Sequence, residues 1–433
     1  MPILTELLRD AAGEIHPPAP FEELEQAARG RRARRHRRAL GVAIVVCMLV
    51  VLGGVTIHSR STPKQRVATA PSTSVTSAPT TTLAAKSGPL FSATTGDVLI
   101  FDNGYDELTL LDVDHRVATR RVGVGQRAGD QPYRIARVGS DVLVGWGDIN
   151  AVPIAGGPAR ALPPATVFIP AVEPDRVWLV DYPNDANTPP RAKFVEESTG
   201  TMLADVVSPF VGGASFGIGI PGGFAMATPH GIDLWHLSTH KVYAHLGDAT
   251  GGQGQTFDAK GSMLTWCEPE DRTQPNGSCD TVHLTDLSAR GGPKDVFTTT
   301  YPGQVVTAAV ISPDGTKVAV STQDGAVSVE GVGLHRPLFT AKFPVTTWST
   351  DGARLYVLSS SYEQSTTTIA QWSVATDTVE HADLPFGGFL QFVAATQADA
   401  GPLPDHSNTE RDCEAVEGKA DAQNTRADCS FGF

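Results

Sequence analysis

The chain has 433 residues, 34 Lys+Arg against 47 Asp+Glu, and a formal net charge of -13. That length allows two or three domains, or one large all-β ring that uses most of it. The acidic balance excludes nucleic acid as a partner, because phosphate binding needs clustered Lys and Arg.

Residues 1–38 open with Leu4, Leu7, Leu8, Ala11 and Ile15 at helical spacing, ended by Pro17, Pro18 and Pro20. A second short helix is expected from Phe21 to Ala28. Helices this short are marginal alone, so this leader is expected to fold only against a partner or a membrane surface. The one concentration of positive charge follows: Arg31, Arg32, Arg34, Arg35, Arg37 and Arg38. Directly behind it, Ala39 to Ile57 carries no charge and approaches the ~20 residues a helix needs to cross a bilayer. Backbone in lipid must satisfy its own hydrogen bonds, so residues 39–58 are expected to form a single transmembrane helix. The arginine bias places residues 1–38 in the cytoplasm and everything after the span outside, with the arginines resting on lipid headgroups. The leader is too long for a signal peptide and no Ala-x-Ala site follows the apolar run, so the span reads as an anchor.

Residues 59–88 are mostly Ser, Thr, Pro and Ala, with too little apolar surface to offset chain entropy. About thirty such residues, extended at roughly 3.1 Å each, form a stalk reaching up to ~90 Å from the bilayer. Five cysteines are present, with Cys47 inside the apolar run. The other four fall in the external part, where disulfides persist. Local pairs Cys267–Cys279 and Cys413–Cys429 are the simplest of three connectivities.

From residue 89 to 397 the texture is short β-branched and aromatic strands separated by Gly, Pro, Asp and Asn turns. A strand–turn–strand unit recurs every ~40–50 residues, the spacing of a four-stranded propeller blade. Its copies begin at Leu108, Val152, Phe194, Leu234, Val282 and Gln371. A second repeated element is Ile311-Ser-Pro-Asp-Gly-Thr-Lys-Val-Ala-Val320, matched by Trp348-Ser-Thr-Asp-Gly-Ala-Arg-Leu-Tyr-Val357 and more loosely by Val172-Glu-Pro-Asp-Arg-Val-Trp-Leu-Val180. In it Asp-Gly makes a tight turn between strands.

On these residues the chain resembles the bacterial WD-like and YVTN-type β-propellers, and with its anchor and its preference for arginine it looks like an actinobacterial envelope protein. The resemblance implies an all-β fold. Counting units gives a seven-bladed β-propeller, with six or eight blades also compatible with the spacing. The blades are expected at about 97–125, 132–164, 167–207, 212–248, 254–299, 304–342 and 344–384. The first has only three clear strands, and the spare strand Phe389–Thr396 is expected to complete it and close the ring. Residues 398–433 form a polar tail containing the second cysteine pair.

No motif for catalysis stands in its required context. Gly213-Ala-Ser215-Phe-Gly217 matches a nucleophile elbow by letter, but Ile-Gly-Ile-Pro-Gly-Gly after it cannot continue as the helix an elbow needs. Ser61-Thr-Pro-Lys64 falls in the stalk. His230, His236, His240 and His245 invite a metal assignment, yet side chains alternate along strands and no ligand motif is present. The acidic turns Asp102–Glu107 and Asp181–Asn187 lack the alternating ligands of a calcium loop. No catalytic residue, metal site or cofactor is therefore expected.

The leading expectation is a membrane-anchored extracytoplasmic binding or scaffold module taking a protein, peptide or cell-envelope ligand on a loop-rich face, including the loop between Cys267 and Cys279. Two alternatives stand beside it. One is a transmembrane regulator, since the layout looks like that of membrane anti-sigma factors, with residues 1–38 meeting a cytoplasmic partner. The other is an enzyme of the lactonase or lyase kind that some propellers carry.

Overall fold

Strand β1 (Asp97–Asp102) is buried at every position. That pattern requires cover on both sides of a sheet, unlike the alternation of a strand with one wet face. The computed structural model describes residues 89–102, 107–122, 134–146, 148–182, 188–208, 217–228, 230–247, 254–268, 279–359, 367–384, 391–401 and 428–432. The leader, the arginine block, the apolar run, the stalk, Cys413 and Ser215 lie outside them. No helix among the described residues is long and apolar enough to cross a membrane.

The described strands form seven antiparallel sheets. Six follow one plan, four strands in chain order. Their first strands are β4 (Arg134–Val138), β8 (Val167–Pro170), β12 (Ile218–Ile220), β16 (Gln255–Lys260), β20 (Val306–Ile311) and β24 (Pro344–Trp348). The seventh sheet combines the two ends of the ring. Strand β28 (Gln391–Thr396) pairs with β1 in register from Asp97↔Thr396 to Asp102↔Gln391, and β2 (Glu107–Asp112) and β3 (Val117–Val122) follow outward. Beyond β3 lies β29 (Asp428–Gly432), a fifth strand from the chain's tail. The seven first strands, with β28 serving the first blade, contact one another in sequence around a circle. The molecule is a seven-bladed β-propeller closed by its own C-terminal part.

Packing follows from this plan. Seven apolar clusters lie between neighbouring blades. The aromatic residues concentrate between the third and fourth, where the Trp178 ring lies 4.2 Å from Phe224 and 4.5 Å from Phe194. Middle strands such as β9 (Arg176–Asp181) and β25 (Arg354–Ser359) face a cluster on each side and are buried through their centres. Outer strands such as β11 (Thr201–Val207) and β15 (Lys241–Leu246) are largely exposed. They shift register against their neighbours by a bulge, at Phe194/Val195 and at Leu234/Trp235. A bulge twists an open edge and discourages pairing with another chain.

Both sequence repeats correspond to fixed places in the blade. The Asp-Gly element joins first to second strand. Ser312 Oγ donates to Asp314 Oδ1 at 2.5 Å and accepts from the Lys317 amide at 2.9 Å, and Ser349 repeats both bonds with Asp351 and Arg354. The other repeat joins third to outer strand. One turn position takes positive φ in five blades, at Arg116, Gly200, His240, Gly333 and Asp377.

Candidate functional site

Each blade's four strands alternate in direction, so the chain re-enters every blade from the same side of the ring. Connections from first to second and from third to outer strand lie on one face. Those from second to third strand, and from one blade to the next, lie on the other. The two faces differ in construction. The first is built of tight turns, such as those from Val138 to Asp141, Ile220 to Gly223 and Lys260 to Met263. The second takes the long connections, from Val122 to Arg134, Val207 to Ile218, Leu246 to Gln255 and Glu268 to Thr281. The disulfide Cys267–Cys279, with a Cα–Cα distance of 5.7 Å, spans the last of these, and both cysteines are buried in the cluster between the fifth and sixth blades.

One residue of the loop face stands out from it. Phe343 is 63% exposed and has φ 48°, a conformation costing an ordinary L-residue roughly 1–2 kcal/mol. Its neighbour is fixed: the Lys342 amide donates to Ser359 Oγ at 3.1 Å, and that hydroxyl donates to the Lys342 carbonyl at 3.2 Å.

Beneath this face, in the loop-side half of the third strand of the fifth blade, Thr281–Asp286, His283 is held between two carboxylates. Its Nδ1 lies 2.9 Å from Asp295 Oδ2 and its Nε2 3.7 Å from Glu268 Oε1. The ring stacks on Trp266 at 4.1 Å, and Trp266 Nε1 donates to Thr285 Oγ1. Burial opposes the imidazolium, but the Asp295 and Glu268 carboxylates outweigh it and raise the His283 pKa. Both carboxylates belong to the same blade, so the arrangement braces that sheet.

The central channel holds a cavity of about 670 Å³ reaching the tight-turn face at Gly139, Val172, Gly261, Pro313 and Thr350. About half of its exposed wall is apolar, with the half-buried Ile218, Phe257, Val310 and Val393 contributing to it. Three ionisable side chains line it: Arg137, Asp258 and Lys260. Arg137 is tied to the wall, with Nη2 3.1 Å from Asp399 Oδ2 and Nε donating to the Gly139 carbonyl. Asp258 sits at a bulge in β16. Its Oδ1 accepts the Ala259 amide and its Oδ2 accepts the Ile311 amide of the next blade, each at 2.9 Å. Burial raises the Asp258 pKa, against the pull of Lys260 and of these amides.

The four histidines do not converge. His236 and His240 bracket a tight turn, the His240 amide bonding the His236 carbonyl. At the other end of the same hairpin, His245 Nδ1 lies 2.8 Å from Asp233 and its Nε2 2.9 Å from the His230 carbonyl. After Gly217 the chain enters strand β12, where a nucleophile elbow would require a helix. The channel residues come from two blades, Arg137 from the second and Asp258 and Lys260 from the fifth, and belong to no sequence motif. Their one advance signal was their place at or near the end of each blade's first strand.

The class the structure defines is the seven-bladed β-propeller. No protein family matches the chain, and no curated protein is similar to it in sequence. Solved structures match the chain at low identity. Apo AztD from Citrobacter koseri is 14% identical, covering 69% of this chain and 97% of that chain, with a TM-score of 0.42. TolB from Acinetobacter baumannii is 10% identical, covering 69% and 66%, with a TM-score of 0.41. Hsv2p from Kluyveromyces lactis is 13% identical, covering 56% and 74%, with a TM-score of 0.40. The likeness is one of fold and extends no further.

Proposed function

We propose that this protein is a membrane-anchored, extracytoplasmic binding module whose loop face takes a protein, peptide or cell-envelope ligand. The observation carrying it is the unequal construction of the two faces. A ring with the longest links between its successive strands on one side, the tail between Gly401 and Asp428 apart, resembles a scaffold presenting loops, the common arrangement for recognition. Phe343, aromatic and held outward on that face, is suited to be an anchor residue. The arginine block and the uncharged run from Ala39 to Ile57 supply the membrane anchor, and residues 59–88 the stalk. The disulfide Cys267–Cys279 fits an oxidising compartment, and a second pair, Cys413–Cys429, would staple the tail there.

The test is site-specific photo-crosslinking of the full chain in its native membrane. A photoreactive phenylalanine at position 343 is expected to capture an envelope protein or glycan, and Phe343→Ala to weaken binding of that component. The same group at Val332, which is 74% exposed on the tight-turn face, is the control. Equal capture from both positions, or none from 343, rejects the loop face as the binding surface. Cysteines placed in the stalk that resist a membrane-impermeant maleimide on intact cells would reject the outside location.

A further inference from the structure

The cavity on the tight-turn face lies away from the surface assigned to the macromolecular ligand, and its charges are unevenly committed. Arg137 is engaged by Asp399 and by the backbone carbonyls of Gly139 and Ala394. Both oxygens of Asp258 accept backbone amides, so this carboxyl is spoken for by the wall. Lys260 differs. It is the last residue of β16, it is exposed, and it lines the cavity. Its backbone pairs with Met263, but among the described residues its ammonium makes no hydrogen bond and no ion pair, its electrostatic partner being the already committed Asp258. A volume of about 670 Å³ falls within the roughly 300–1,000 Å³ of small-ligand sites.

We propose that this cavity binds a small monoanion with an apolar body, an aryl or short acyl carboxylate, whose headgroup pairs with Lys260. The chemistry selects that class. The apolar half of the wall, including Ile218, Phe257, Val310 and Val393, recovers surface from a hydrocarbon or aromatic body, and a single uncommitted ammonium offers a charge-assisted bond to one carboxylate. A phosphate needs several donors or a fork-shaped cation, and the one guanidinium here is engaged elsewhere. A cationic ligand meets Lys260 and Arg137 together.

The experiment uses the full chain in lipid nanodiscs, with phenylacetate as probe and phenylacetamide as its uncharged counterpart, followed by titration calorimetry and ligand-observed NMR. Saturable binding of one phenylacetate per chain is expected, weaker by about tenfold or more for phenylacetamide, the size of one charge-assisted bond. Lys260→Met is expected to lose the same factor and Lys260→Arg to restore it. Thr347→Trp, which adds volume at the cavity wall, is expected to abolish binding while Lys260 remains. Equal unfolding midpoints for wild type and variants establish that the ring is intact. No saturable binding at millimolar phenylacetate overturns the proposal, as does binding that Lys260→Met or Thr347→Trp leaves unchanged. Because these variants lie on the tight-turn face, crosslinking from Phe343 is expected to be the same in all of them. The two assignments therefore succeed or fail separately.

Discussion

The Tyr356 hydroxyl donates to the Asp97 carboxylate at 2.7 Å, joining residues 259 apart in sequence across the seam between the seventh and first blades. Both are fully buried or nearly so, and Arg354 Nη1 lies 3.4 Å from the same carboxylate oxygen. The ring closes by strand pairing, and this polar contact sits inside the closure.

A pH dependence follows. Burial pushes the Asp97 carboxyl up to about 6, against the lowering effects of Tyr356 and Arg354. An unfolded Asp titrates near 3.9, so the folded state holds this proton more tightly than the unfolded one. The associated stability is full below the unfolded pKa and lost as pH rises through about 6. Asp97→Asn keeps an acceptor for Tyr356 and removes the buried charge. Its unfolding midpoint relative to wild type is expected to rise between pH 4 and pH 8, by an amount equivalent to about 1–3 kcal/mol. Chemical denaturation across that range measures it, and a difference that stays flat would exclude Asp97 as the titrating group.

His240 supplies a second prediction, because two explanations of this residue diverge. As a metal ligand it would resist replacement. As a turn residue it occupies, at φ 54°, the position where Gly200 and Gly333 serve other blades. Left-handed backbone costs a residue with a Cβ roughly 1–2 kcal/mol, and glycine escapes that cost. The gain is partly offset by glycine's larger entropy in the unfolded chain and by the lost ring contact with Trp235, 6.1 Å away. His240→Gly is expected to change stability by less than about 1 kcal/mol in either direction, whereas His240→Val, β-branched, is expected to lose about 1–2 kcal/mol. A large loss for glycine with none for valine would contradict the turn role.

What was legible in the sequence was local. Asp-Gly turns, alternating and apolar runs, and the recurring hairpin each depend on residues close in the chain, and they placed the blades and the closing strand. The pairs that tie blades together were not legible. Arg160 bonds Glu197 and Asp141 across 37 and 19 positions. Burial and the neighbouring Asp141 push Glu197 up to about 7, yet no spacing rule marks either acid. The addition of β29 to β3 was equally hidden, since Asp-Cys-Ser-Phe-Gly reads as tail and becomes a strand only beside an open edge. For the cavity, Arg137 in the second blade and Asp258 and Lys260 in the fifth lie too far apart in the chain for a motif to record them together.

The closing strand gives the most demanding prediction. Strand β28 supplies the inner position of the first blade, and its side chains enter two apolar clusters: Phe392 and Ala394 on one side, Ala395 on the other. Behind it the short helix α1 (Gln397–Ala400) starts at Thr396 with a capping box to Asp399. Asp399 then pairs with Arg137 of the second blade, and Gln397 Nε2 bonds Asp112 Oδ1 of the first at 3.1 Å. Deleting residues 387–433 removes all of this and leaves β1 an open edge facing the channel. Phe392 alone accounts for about 1.5–3 kcal/mol of burial, within a total stability of roughly 5–15 kcal/mol for a native protein. That deletion is expected to abolish cooperative urea unfolding of the ring. Deleting only 402–433 removes β29 from the rim and keeps β28 and α1, so a cooperative transition is expected to survive at a lower midpoint. The m-value separates the two, because it scales with surface exposed on unfolding. A wild-type m-value and midpoint in the longer deletion would mean that the other six blades close without the seventh connection, and the closure mechanism would fall.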